Sequence, residues 1–177
     1  RLVDGTVVSE PGSTGTNWRI HYCFQLNTYV CDTFLVTDRH VAESLQHFQV
    51  ESGDLMIADS GYCKRKNLAY VLAQKGHALI RYHSVTLPLK DRQGNRWPIM
   101  DHLRSLADGE SGDWDVWFEH PEEGHLVKGR ILAIRKSRDA TLRAQDKILL
   151  EARKKKRKMR QDTLELGAYI VLFTTVN

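Results

Sequence analysis

The chain has few of the residues that announce several common protein classes. Only three of its 177 residues are cysteine, Cys23, Cys31 and Cys63, and no two of them stand at Cys-x-x-Cys spacing. An odd, widely spaced set excludes a disulfide framework and argues against a zinc site, which makes a reducing compartment the expected setting. Eight histidines are scattered along the chain. His40 and Glu43 fall one helical turn apart, but no second histidine stands at metal-site spacing, so this pair reads as exposed polar residues at a helix start. No apolar run approaches the ~20 residues that a membrane helix needs. No secretory leader and no internal repeat are visible.

What is present is ordinary in bulk and uneven in distribution. A hydrophobic content of 41% and a charged content of 27% suit one core, or one domain carrying a large insertion. The first residue is Arg1, set directly against an apparent strand, and the last residues run apolar from Ile170 to Val176. Both ends are expected to be cut from a longer polypeptide. The net charge of +4 conceals a segregation. Residues 128–160 hold 14 Lys/Arg against 3 Asp/Glu, a net of +11, while the rest of the chain nets −7. Such a division points to a polyanionic partner.

Arg1 to Val8 reads as a strand interrupted by Asp4-Gly5, and residues 9–16 as a Pro/Gly/Ser loop. Trp18 to Leu26 alternates as a second strand, with Trp18, Ile20, Tyr22, Phe24 and Leu26 on one face. Tyr29 to Thr37 gives a third strand, hairpin-linked to the second. Asp38 is placed to cap a helix over residues 39–50, in which Val41, Leu45 and Phe48 recur at helical spacing. A short apolar strand then ends at Asp59. A helix over residues 67–74 stops near Gly76, and residues 78–82 form a fifth strand. This order predicts an α/β domain with a mixed sheet.

From Ser84 the pattern changes. Prolines and glycines interrupt the chain, residues 115–119 and 127–135 look like strands, and residues 139–160 read as one long polar helix, ~33 Å if unbroken. Its last turns are almost wholly basic. An apolar strand follows at residues 169–176. The expected organisation is a core part over residues 1–83, an inserted part over 84–166 and a returning core strand over 167–177. Trp114 and Trp117 in the insertion are candidates for stacking on an unpaired base, although strand tryptophans usually serve the core.

Asp4 and Asp59 interrupt or end two strands that this order can place side by side. Neighbouring carboxylates repel unless cations neutralise them. Magnesium suits such a pair, being held by one or two carboxylates together with substrate phosphates. Two such ions can activate a water or a 3′-hydroxyl in phosphodiester chemistry. The bland alternative is that each aspartate serves its own glycine turn.

Leu2-Val3-Asp4-Gly5-Thr6 and Ile57-Ala58-Asp59-Ser60-Gly61-Tyr62 resemble the first two acidic motifs of DDE transposases. The nearest group is the bacterial insertion-sequence type, whose ribonuclease H-like domain carries a β-rich insertion before the third acid. Ala78-Leu79-Ile80-Arg81 resembles the strand after the second motif. The resemblance implies a mixed sheet with helices on both faces, interrupted by a β-rich and long-helix insertion. It also implies Asp4 and Asp59 as catalytic, metal-binding carboxylates for Mg2+ or Mn2+. Its implied substrate is double-stranded DNA, cut at transposon ends and joined to a target, with a dimer on the DNA and a DNA hairpin intermediate known in the group. A bacterial, cytoplasmic, nucleoid-associated setting follows.

Two departures stand out. Ser60 occupies a position where the family commonly has Arg, and the Tyr/Arg/Glu/Lys signature of the third acid is not reached by Asn177. Glu151 and Glu165 do not sit in a matching context. The chain by itself is therefore expected to be inactive. The basic run Arg153, Lys154, Lys155, Lys156, Arg157, Lys158 and Arg160 is the expected site of DNA-backbone binding, against the alternative of a solvated helix end. Two rival readings stand beside this one: a ribonuclease H-like nuclease without strand transfer, and a non-catalytic DNA-binding module from a decayed or domesticated transposase.

Overall fold

Among the described residues, eight strands form one mixed sheet in the order β3-β2-β1-β4-β5-β8-β7-β6. The computed structural model describes residues 1–177 apart from Thr16, Lys155 and Arg157. Strands β1 (Leu2–Val8), β2 (Trp18–Gln25) and β3 (Val30–Asp38) make an antiparallel meander. Strands β4 (Leu55–Ala58) and β5 (His77–Arg81) run parallel to β1 on its other side. Helix α1 (Arg65–Ala73) makes the crossover between them. After it Lys75 takes the left-handed conformation at φ 59°. Gly76 is needed for room instead, since a methyl there would lie 2.7 Å from Val50.

Helix α2 (Ile99–Arg104) precedes the long hairpin β6 (Ser111–Glu119) and β7 (Leu126–Arg135). Helices α3 (Arg138–Lys154) and α4 (Gln161–Leu166) lead to β8 (Tyr169–Thr174). Strand β8 is antiparallel to both β5 and β7, so the hairpin extends the first sheet without starting a second. Among the described residues no helix is long and apolar enough to cross a membrane.

The buried residues of the strands share one face: Val3, Cys23, Met56, Ala58, Ala78, Ile80, Ile131 and Phe173. Leu68 and Val71 of α1 and Leu103 of α2 join this core. On the other face Leu2, Trp18, Phe34, Ile134 and Ile170 are exposed, and Ile57, Leu79 and Leu172 are half-buried. Helices on both faces were expected; among the described residues they cover one. Runs such as Leu55–Ala58 are apolar on both sides and therefore read as doubly buried strands. For β2 the alternation is right but the buried side is the polar-looking one, with His21 and Cys23 inside and Trp18 out.

Two expected helices are corrected. The helix over residues 39–50 is reduced to a 3-10 turn, Leu45–His47. Asp38 caps only a turn, accepting from His40 N–H at 2.6 Å. Downstream, Asn67 Oδ1 accepts from Leu45 N–H at 3.1 Å and from Ser44 Oγ at 2.9 Å. That distant side chain takes a donor that a helix would have used internally. The helix over residues 139–160 ends at Lys154, and Lys156 adopts φ 48°. Consecutive cations repel at helical spacing, and α4 folds back on α3, with Gln145 Nε2 donating to Leu164 O at 3.3 Å.

Candidate active site

The register of β1 on β4 decides where the two aspartates lie. Leu2 is opposite Ile57 and Val3 opposite Ala58, so the next step places Asp4 opposite Asp59. Alternation along each strand puts both on the open face, with Leu2 and Ile57. Parallel neighbours are ~4.8 Å apart, within the span of one or two shared cations. On β5, Ile80 pairs with Ala58, which brings Arg81 level with Asp59.

Local chemistry leaves the carboxylates accessible. Asp59 is extended, at φ −76° and ψ 172°, and precedes a 3-10 turn over Ser60–Tyr62. The turn is closed by Tyr62 N–H donating to Asp59 O at 3.0 Å, while the Asp59 side chain makes no cap bond. The carboxylate is thus not spent on the turn. It pairs with Arg81, whose Nη1 lies 3.9 Å from Oδ1, and both side chains are largely exposed. Asp4 Oδ1 accepts from Gly5 N–H at 2.8 Å, and Oδ2 accepts from Tyr22 Oη at 3.0 Å. That hydrogen bond, with burial and the carboxylate charge, raises the Tyr22 phenol above its ordinary range. Strand β1 runs through Asp4-Gly5 without a break.

Glu43 was expected to be exposed at a helix start. It is half-buried in an irregular segment, and its carboxylate lies over the glycines of both acidic motifs. A methyl at Gly5 would sit 3.3 Å from its Oε1, and one at Gly61 would collide with its Oε2. Neither glycine has a positive φ, so both serve space. Each aspartate is followed within two residues by a glycine, but nothing in the sequence ties either glycine to Glu43.

Beyond Arg81 a cleft of about 790 Å³ opens between the sheet, α3 and α4. Its cations are Arg81, Lys136, Lys147, Lys158 and Arg160, with Glu151 the acid in the wall. Burial and the charge of Arg81 lower the Lys136 pKa. Of the basic run, Lys158 and Arg160 line this cleft, whereas Arg153, Lys154 and Lys156 lie outside its wall; all five are exposed. Lys155 and Arg157 lie outside the described residues. Lys136 and Lys147 were missed in the sequence because they stand outside the run. Glu165 is held by Arg104 through two hydrogen bonds, 2.7 and 2.8 Å.

Trp97 stacks on His102 at 4.3 Å and leans on Trp114 at 6.1 Å. Trp114 also folds over Gly112, so its ring is used internally. His120, Glu123 and His125 are the group of three ligand-type side chains lying within 4.8 Å of one another among the described residues. They close the β6–β7 turn: His120 Nδ1 accepts from Glu123 N–H at 3.2 Å, and His125 Nδ1 lies 3.1 Å from Glu123 Oε2.

The chain is similar along 99% of its length to bacterial insertion-sequence transposases. It is 29% identical over 180 residues to the "Transposase for insertion sequence element IS421" of Escherichia coli, of which it covers 48%. The same identity relates it to the "Putative transposase InsL for insertion sequence element IS186A" of Escherichia coli (strain K12), of which it covers 49%. The chain thus spans about half the length of the curated relatives it matches. No family model and no solved structure matches it.

Proposed function

We propose that this chain is the catalytic part of a bacterial insertion-sequence transposase of the DDE kind, built on a ribonuclease H-like sheet and acting on double-stranded DNA. One observation carries the reading: Leu2 and Val3 of β1 pair in parallel with Ile57 and Ala58 of β4, and Asp4 and Asp59 are the residues that follow Val3 and Ala58. Transposase names on the relatives support the reaction class. The strand order, with an antiparallel meander on one side of β1 and parallel β4 and β5 on the other, supports the fold. Insertion of β8 between β5 and β7 supports reading residues 84–166 as the inserted part and residues 167–177 as the return.

The donor set fits magnesium or manganese: hard carboxylate oxygens on exposed side chains, of which Asp59 makes no cap bond and Asp4 keeps lone pairs beyond its hydrogen bonds to Gly5 and Tyr22. Asp4 and Asp59 would hold the cation, which supplies polarisation of the scissile phosphate and activation of the attacking oxygen. Tyr22 keeps the Asp4 carboxylate oriented through its hydrogen bond. Arg81 offers a positive charge at the same level for a phosphate oxygen. The cleft cations Lys136, Lys147, Lys158 and Arg160 would hold the DNA backbone beside the carboxylates. In hydrolysis a water oxygen bonds to phosphorus as the bond to the 3′-oxygen breaks; the freed 3′-hydroxyl then attacks a target phosphodiester in the same way.

The test is Asp59→Asn in the full-length protein. Strand cleavage at the element's ends should disappear while DNA affinity stays within about twofold, since one exposed carboxylate adds little to backbone binding. Retained cleavage overturns the assignment.

A further inference from the structure

We propose that Glu43 is a third carboxylate of the cation site formed by Asp4 and Asp59, brought there by the irregular segment between β3 and β4. This rests on the reading of Asp4 and Asp59 as cation ligands and adds a residue that neither acidic motif contains.

Three independent features converge on Glu43. The first is steric. Gly5 follows Asp4 and Gly61 stands two residues after Asp59, and the side chain crossing both is the same one. A Cβ at Gly5 would lie 3.3 Å from Glu43 Cγ and Oε1, and one at Gly61 would strike Oε2. Both acidic motifs therefore keep a glycine where the Glu43 carboxylate passes.

The second feature is an orphaned donor. Tyr62 is 1% exposed, and its hydroxyl has no hydrogen-bond partner among the described residues. That hydroxyl lies 3.3 Å from the same point above Gly5 that Glu43 Oε1 approaches. A buried phenol without a partner is costly, and its position beside the Glu43 carboxylate leaves a polar group or cation-bound water to satisfy it. Burial first, then the charges of Glu43 and Asp4, raise its pKa.

The third feature is Glu43 itself. Among the described residues its half-buried carboxylate is paired with no cation and accepts no hydrogen bond. A partly desolvated carboxylate is unfavourable unless a counter-charge reaches it. Its backbone is fixed: Lys64 Nζ donates to Glu43 O at 3.0 Å, and the next residues hang from Asn67. Asp4 faces the open side of β1 while Glu43 passes on the covered side beside Gly5, and the three carboxylates do not lie within 4.8 Å of one another. A shared cation would sit at the edge of β1 beyond the last residue of β4 and draw them together.

The experiment is Mn2+ binding to the chain, read by calorimetry and by the electron paramagnetic resonance of free Mn2+, with unfolding curves recorded in chelator. Glu43→Gln keeps shape and removes charge; it should weaken Mn2+ binding about tenfold or more without moving the chelator unfolding midpoint. Gly61→Ala, which displaces the carboxylate without altering its chemistry, should weaken Mn2+ binding in the same direction. If Asp4→Asn and Asp59→Asn weaken binding while Glu43→Gln and Gly61→Ala do not, the role of Glu43 is overturned and the aspartate pair stands. If none of the four substitutions changes binding, the cation site as a whole is overturned.

Discussion

Arg81 reaches from the end of β5 to Asp59 at the end of β4, with its Nη1 3.9 Å from Oδ1, and the same arginine forms one wall of the basic cleft. It therefore joins the acidic row to the cationic surface. Charge segregation in the sequence acquires a geometry: cations of the insertion collect beside the strand ends that carry the carboxylates. Three basic side chains of the run, Arg153, Lys154 and Lys156, stay outside the cleft wall.

That division predicts a difference in salt dependence. Replacing Lys147 and Lys158 with Gln in the full-length protein should flatten the logarithmic slope of DNA affinity against salt, by about 0.9 for each phosphate no longer neutralised. Replacing Lys154 and Lys156, which lie outside the cleft wall, should flatten it less. Equal slopes for the two pairs would show that the cleft has no special part in binding.

Close packing on the covered face predicts a difference in stability. Gly129 of β7 is buried, and a methyl there would strike the Phe173 ring and lie 3.0 Å from Thr174 O. Gly129→Ala should cost about 1–3 kcal/mol through overpacking. Gly15→Ala meets nothing within 4 Å and should stay within about 0.5 kcal/mol of the parent. Denaturant unfolding measures both, and equal midpoints would contradict the packing at Gly129.

The Arg104–Glu165 pair ties α2 to α4 and carries a pH signature. The hydrogen bond and charge of Arg104 lower the Glu165 pKa from its ordinary 4.5. A depressed carboxylate pKa contributes stability above the unfolded value that is lost as pH falls through the folded one. Glu165→Gln should thus be less stable than the parent above about pH 4.5, with the difference vanishing at lower pH. A difference that persists in strong acid would assign the destabilisation to packing.

The strand series from β1 to β5 was legible because period-two alternation and glycine turns are local signals, and Asp4 and Asp59 followed from it. The helix over residues 39–50 failed because Asn67, more than twenty residues on, captures the Leu45 N–H. That failure also hid Glu43, whose position depends on the irregular path. The long helix failed at the basic run, where local propensity favours helix but charge repulsion and the docking of α4 do not. The open sheet face was invisible because an apolar strand residue reads the same whether or not anything covers it. Lys136 and Lys147 joined the cleft through tertiary folding, which no run of adjacent charges records.

The sharing of one cation site by Asp4 and Asp59 is tested most directly by a double-mutant comparison of single-turnover cleavage in the full-length protein. Ligands of one site act as a unit, so the effects of removing them do not multiply. Asp4→Asn and Asp59→Asn should each reduce cleavage to the same residual rate, and the double variant should be no slower. Effects that multiply in the double variant, or cleavage close to the parent rate in either single one, would contradict a shared site.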